Sequence, residues 1–142
     1  MIEPIPIVVV HACDSTHDLA IERCADEHTM VVVRAATQRA GRGRNGRAWI
    51  DDGGAGGSLL LTVVLREPHA AAVLEGLSVR AAAHVVEMLA AGGAAGLQVK
   101  HPNDIVTMHN EKVGGLLVDA TTQGARVIRI VLSIGLNLTW SP

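Results

Sequence analysis

Apolar residues in this chain come mostly in short blocks, not at helical spacing. Ile5 to Ala12 is a β-branched run and reads as a buried strand. "DST" follows, and Asp14, Ser15 or Thr16 could each cap the helix suggested by "HDLAIERCA". Thr29 to Ala36 reads as a second strand, and Ser58 to Arg66 ("SLLLTVVLR") as a third. Between them, residues 37 to 57 show no hydrophobic period and hold seven glycines. A loop of that length inside a compact domain is usually functional or disordered. Val73 to Ala91 is the longest helical pattern, closed by Gly92 and Gly93. From Leu97 the pattern turns to strands: "LQVK", "DIVTM", a tight turn at "HNEK", "VGGLLVDAT", a turn at "QG", and "RVIRIVLSIGLNL". Two segregated helices among hairpin-spaced strands predict an α+β fold with a mixed, largely antiparallel β-sheet.

Composition narrows the options. At 142 residues the chain is one domain, 1–142. Twelve Lys and Arg against 14 Asp and Glu give a net charge of −2, which argues against nucleic-acid binding through bulk charge. Yet Arg39, Arg42, Arg44 and Arg47 put four of the 12 basic residues within nine positions, a concentration suited to a specific anionic ligand. With 49 % hydrophobic residues but no Phe or Tyr, the core falls to Val, Leu, Ile and Ala. Only Trp49 and Trp140 could act as stacking platforms, too few for a binder of single-stranded nucleic acid. Cys13 and Cys24 make neither a disulfide framework nor a zinc site, which points to a reducing cytoplasm. The first residues lack a basic n-region and carry Glu3, so they read as a strand and not a signal peptide. No apolar run reaches the length of a membrane span.

Three polar segments carry candidate chemistry. "GRGRNG" at 41–46 satisfies G-x-G-x-x-G, but "RAWIDDGGAGG" after it cannot form the helix that a dinucleotide site requires. It fails as a Walker loop too, because Arg47 and Ala48 replace Lys-Ser/Thr. Glycine still lets a backbone close around phosphate, and arginine supplies a planar, permanently charged donor fork. A loop ordered by an anion, with Trp49 available to a base, stands against a solvated arginine–glycine surface loop. In "KHPNDI", Asn103 and Asp104 either build an Asx-turn or contact a hard cation or phosphate. In "KVGGLLVD", Lys112 precedes two glycines where something could approach the backbone closely. The seven histidines show no metal-ligand spacing, and Ser15 lacks a G-x-S-x-G elbow. "SLLLTVVL" could be a core strand or a sheet edge for pairing two copies.

In this order, "DST", "TQRAGRGRNGRAW", "KHPNDI", "KVGGLLVD" and "SIGLNL" resemble the successive motifs of biotin protein ligases, from about Val10 to Leu138. The resemblance implies a class II synthetase-like catalytic fold with helices packed on one face of the sheet. It also implies a chain that is short at its C-terminus, since family members continue into a small β-barrel domain. Nothing before Met1 serves as the DNA-binding domain that some members carry, so a partner role for DNA is not expected, nor one for a membrane. The implied activity is activation of biotin by ATP with Mg²⁺ to biotinyl-5′-AMP, then transfer to a lysine of a biotin carboxyl carrier domain; the oligomeric state stays open, with a homodimer as one option. By motif, Ser15, Thr16 and Gln38 would bind the ureido end of biotin, and Gly114 and Gly115 would let the backbone lie against it. Arg42 and Arg44 would organise the loop over carboxylate and phosphate, with Arg47 on the triphosphate and Trp49 near adenine. Lys112 would hold carboxylate and adenylate phosphate, Asn103 would lie near Mg²⁺-phosphate supported by Asp104, and Asn137 near the nucleotide. Arg44, Lys112 and Asp104 are therefore the expected catalytic residues. Two positions depart from the family pattern: His101 stands for the usual Trp, and His17 for the usual Asn. The alternatives are a binding module for biotin or its adenylate without catalysis, and a lipoate-type ligase.

Overall fold

The computed structural model describes residues 4–24, 30–51 and 54–139. Ala25, His28, Thr29, Asp52, Gly53 and Trp140, each part of an expectation above, lie outside the described residues. Strand β1 (Ile7–Cys13) leads into helix α1 (Thr16–Arg23) and strand β2 (Met30–Gln38). A two-stranded ribbon, β3 (Gly41–Arg42) and β4 (Ala48–Trp49), precedes β5 (Ser58–Leu65) and the short β6 (His69–Ala70). Helix α2 (Leu77–Ala91) is followed by β7 (Leu97–Lys100), β8 (Asp104–Thr107), β9 (Lys112–Gln123) and β10 (Arg126–Asn137).

The main sheet runs β1-β2-β5-β10-β9-β8-β7, with β6 paired to β10. Its one parallel pair among the described residues, β1 with β2, is joined through α1, as a crossover requires. All other pairs are antiparallel. "SLLLTVVL" is a central strand between β2 and β10, so it offers no free edge. Its alternating burial reflects two covered faces, and the free edges belong to β1 and β7.

The helices divide between the faces instead of sharing one. Ala20 and Cys24 of α1 pack with Val31, Val33, Val64 and Val131. Ala82 of α2 packs with Ile105, Leu116 and Leu136, flanked by Leu132 and Ile134. Val131 and Leu132 are adjacent on β10, and adjacent strand residues point to opposite faces. The sheet is therefore a partition, with α1 on one side and α2 on the other.

The long helical pattern from Val73 is interrupted. Ala71–Leu74 forms a 3₁₀ turn, and Gly76 takes φ 60° before α2 begins. The Arg80 guanidinium donates to the carbonyls of Val73 and Glu75, satisfying groups that the break leaves open. At the far end Gly92 N–H bonds to Met88 O and Ala94 N–H to Leu89 O, with Gly93 at φ 100°, a glycine stop of the expected kind.

Candidate active site

The residues of the sequence motifs meet on the α1 face, around a cleft of about 360 Å³. Its first wall is the start of α1. Ser15 occupies the N-cap position with extended backbone, but its hydroxyl caps nothing: Ser15 Oγ is buried and has no partner among the described residues. The first helical N–H is satisfied from outside the helix, by Gln38 Oε1 at 2.6 Å from Thr16 N. Thr16 Oγ1 donates to the same oxygen at 2.9 Å. A helix start whose open donor is met by a side chain from β2 leaves Ser15 free for a ligand.

The second wall is the arginine–glycine segment, which is not the structureless loop its composition suggested. Asn45 and Gly46 both have positive φ (55° and 72°), and Arg47 N–H bonds to Arg44 O at 3.1 Å. Asn-Gly with positive φ at both central positions is the signature of a tight hairpin turn, here joining β3 to β4. That dipeptide was readable in the sequence; the surrounding glycines obscured it. Arg39 pairs with Asp14 at 2.7 Å, and Arg42 grips Asp18 through two donors. Arg44 donates to Asn103 Oδ1 at 3.2 Å. Among the described residues the Arg47 guanidinium takes no protein partner. Partners for three of the four relieve the mutual repulsion that would otherwise splay the segment.

The third wall is β8–β9. Between Ile105 and Val106 the pairing with β9 shifts register. The irregularity turns Lys112 to the cleft side, while Val113 joins the core under α2. Lys112 Nζ lies 3.0 Å from Asp104 Oδ1 and 5.9 Å from the centroid of the Trp49 ring. Asn103 is fixed at both ends: its Nδ2 donates to Leu116 O at 2.7 Å and its Oδ1 accepts from Arg44. Gly115 and Gly135, paired across β9 and β10, floor this corner, and a Cβ on Gly135 would lie 2.6 Å from the Trp49 ring.

Ser15, Thr16, Gln38, Arg42, Arg44, Arg47, Trp49, Asn103, Asp104, Lys112 and Gly115 all line the cleft. Gly114 does not. A Cβ there would meet Leu136 Cδ2 at 2.4 Å, so it serves the packing between strands on the α2 side. Asn137 lies beyond Gly135 on β10, outside the lining, with Oδ1 buried and without a partner among the described residues. The sequence reading passed over Thr62, Ser133 and Asp119, and assigned His17 no role. The structure links all four to Thr16 by hydrogen bonds. Thr62 was visible only as a hydroxyl inside an apolar strand, whereas Ser133 and Asp119 stood in "SIGLNL" and "KVGGLLVD" with no role of their own. Cys13, just before this site, has its thiol pushed up by burial, with Arg39 lowering it and Asp14 raising it.

No group of three or more His, Cys, Asp or Glu that could hold a metal occurs among the described residues. Nor, among them, is any helix long and apolar enough to cross a membrane.

Residues 10–137 match the family model described as the Biotin/lipoate A/B protein ligase family. The biotin–[acetyl-CoA-carboxylase] ligase of Paracoccus denitrificans is 35 % identical over 131 residues, covering 91 % of this chain and 53 % of that protein. The bifunctional ligase/repressor BirA of Escherichia coli K12 is 33 % identical over 132 residues, covering 93 % of this chain and 40 % of that protein. The chain thus spans about half the length of these relatives, or less. Among solved structures, biotin protein ligase from Leishmania major in complex with biotinyl-5-AMP superposes with a TM-score of 0.65 at 28 % identity, over 98 % of this chain and 60 % of that one.

Proposed function

Since the chain belongs to the biotin/lipoate A/B protein ligase family, we propose that it carries the adenylating site of a biotin protein ligase. It activates biotin with ATP and passes it to a lysine of a biotin carboxyl carrier domain. The observation that carries this reading is the convergence of Lys112, Arg44 and Arg47 on one cleft whose far end holds Ser15, Thr16 and Gln38. One end is cationic and the other offers neutral donors and acceptors, which suits a ligand with a carboxylate at one end and a polar ring at the other. The matched relatives include an enzyme named biotin–[acetyl-CoA-carboxylase] ligase and a structure holding biotinyl-5-AMP.

In the first step a carboxylate oxygen attacks the α-phosphorus, the bond to the β-phosphate oxygen breaks, and pyrophosphate leaves. The nucleophile is already ionised, so no general base is required. The barrier is the approach of one anion to another, and fixed cations lower it by positioning and by stabilising developing charge. Lys112, held by Asp104 and half exposed, turns from that carboxylate to the acyl-phosphate oxygens. Arg44, braced on Asn103, and Arg47, free of protein partners among the described residues, take the phosphates. Trp49 covers the Gly115–Gly135 floor and lends its face to the nucleotide. In the second step the acceptor amine attacks the acyl carbon, the acyl C–O bond breaks so that AMP leaves, and the amine's surplus proton passes to solvent as the amide forms.

Mg²⁺ enters with the triphosphate as part of the substrate. The residues present suit that arrangement and not a protein cage, because Asn103 Oδ1 is engaged by Arg44 and Asp104 by Lys112. Two buried, unbridged thiols, Cys13 and Cys24, fit a cytoplasmic enzyme. A homodimer formed by sheet pairing would use the free edge of β1 or β7. The test is pyrophosphate release from ATP and Mg²⁺ with and without biotin. Biotin-dependent release supports the reading; biotin binding without release would replace it with a binding module.

A further inference from the structure

Along the polar end of the cleft, where His17 and Ser133 join Thr16 and Gln38 in the lining, runs an unbroken chain of hydrogen bonds: Asp119 to His17, Ser133, Thr62, Thr16 and Gln38. His17 Nε2 lies 3.0 Å from Asp119 Oδ2, and His17 Nδ1 lies 2.9 Å from Ser133 Oγ. Ser133 Oγ and Thr62 Oγ1 are 2.9 Å apart, as are Thr62 Oγ1 and Thr16 Oγ1. His17 is 2 % exposed and Thr62 fully buried, whereas the Asp119 side chain is 61 % exposed. The chain therefore leads from the surface to the cleft.

Counting hydrogens fixes its direction. A backbone N–H can only donate, so the Gln38 atom 2.6 Å from Thr16 N is an oxygen, and it can only accept. The Thr16 hydroxyl spends its one hydrogen on that oxygen. Thr62 must then donate to Thr16, and Ser133 to Thr62. Ser133 has no hydrogen left, so His17 Nδ1 must carry one. A neutral ring would then turn a bare Nε2 lone pair on the Asp119 carboxylate, acceptor against acceptor. With Asp119 ionised, every contact is satisfied only when both ring nitrogens carry hydrogen. The imidazolium is offset by Asp119; the nearby Asp18 is occupied by Arg42.

The direction matters because Thr16 and Gln38 line the cleft. As built, both lone pairs of Gln38 Oε1 are filled, leaving its NH₂ to donate, and Thr16 retains one lone pair to accept. If Nδ1 loses its hydrogen the chain reverses: Ser133 donates to the ring, Thr62 to Ser133 and Thr16 to Thr62. Gln38 Oε1 then keeps only the backbone donor. We propose that His17, held as an imidazolium by Asp119, is a positioning residue that sets the donor–acceptor pattern offered to the ligand's polar ring through Ser133 and Thr62. This rests on the reading of the cleft as a biotin site and names what tunes its specificity.

Two measurements test it. Ring-nitrogen NMR of the ligand-free protein should show both nitrogens of His17 protonated; one N–H only would overturn the proposal whatever the ligand is. A double-mutant cycle then uses His17→Leu and Thr62→Val with biotin as the varied substrate. Each single change should raise KM for biotin about five- to tenfold, the worth of one or two hydrogen bonds, with kcat and KM for ATP within about twofold. The double variant should be no worse than either single one, because both cut the same chain. His17→Asn, which restores a donor to Ser133, should return KM to within about twofold of the parent. Additive effects, or an unchanged KM in a folded His17→Leu protein, would overturn the relay. If the parent protein fails to take biotin at all, the proposed function falls, and the ring-nitrogen result alone decides the relay.

Discussion

Gly114 and Gly115 stand side by side on β9, yet they answer to opposite faces of the sheet. On the α2 face a Cβ at Gly114 would collide with Leu136 and with the Gly135 carbonyl, at 2.4 and 2.6 Å. On the cleft face a Cβ at Gly115 would find Asp104, Lys112 and Trp49 at 3.4–3.6 Å, ordinary contact distances. The first glycine admits a neighbouring strand; the second keeps a floor low. The contrast holds for the faces as wholes. Ile105, Leu116, Leu136 and Ala82 close the α2 side into apolar core, while the α1 side leaves a basic cleft beside an apolar patch of its own. One side is held by packing, the other arranges charge, and the two should separate under mutation.

The largest effect is expected on the packed face. Ile105 is fully buried, so Ile105→Ala should cost about 2–5 kcal/mol in denaturant unfolding. On the cleft face Lys112→Ala should reduce biotin-dependent pyrophosphate release about 10²–10³-fold. Its unfolding midpoint should barely move, because the lysine is half exposed and its ion pair with Asp104 lies near solvent. Arg44→Ala should behave similarly, since the one hydrogen bond its side chain makes among the described residues is to Asn103. If Lys112→Ala destabilised the protein as much as Ile105→Ala, the division between the faces would collapse.

The sequence made the packed face easy to read and the cleft only partly so. Runs such as "SLLLTVVL" and "RVIRIVLSIGLNL" announce strands, and "GG" after a long Ala-rich pattern announces a helix stop. What periodicity cannot give is which face a strand residue meets, and that depends on partners distant in sequence. Gly114 and Gly115 therefore looked alike until Leu136 and Trp49 distinguished them. The register shift that turns Lys112 into the cleft is likewise a property of the pairing with β8. The motifs marked most of the cleft's lining, yet His17, Thr62, Asp119 and Ser133 lie on α1, β5, β9 and β10, and no local signal joins those four positions.

Gly135→Ala probes where the faces meet. Its Cβ would fall 2.6 Å from the Trp49 ring, so the indole or β10 must move, at about 1–3 kcal/mol, and nucleotide affinity should weaken with it. Gly115→Ala, with no contact closer than 3.4 Å, should stay within about 1 kcal/mol of the parent. Isothermal titration with ATP and thermal unfolding on both variants distinguish a displaced tryptophan from a general loss of fold. Equal outcomes would mean that the floor is more plastic than its spacing implies.

The smallest effect lies within the arginine–glycine segment itself. Arg39 pairs with Asp14 in the open, with side-chain exposures of 66 % and 72 %, and does not line the cleft. Such a pair contributes about 0–1 kcal/mol, so Arg39→Ala should shift unfolding by no more than that and leave pyrophosphate release within about twofold. One subtler change should follow. Arg39 is the group that lowers the Cys13 thiol against the dominant effect of burial, and Asp14 raises it. Without the guanidinium the thiol moves further up, less of it is thiolate at mildly alkaline pH, and alkylation of Cys13 should slow. Faster alkylation would mean that Arg39 chiefly shields Cys13, and that its charge is secondary to the cover it gives the start of α1.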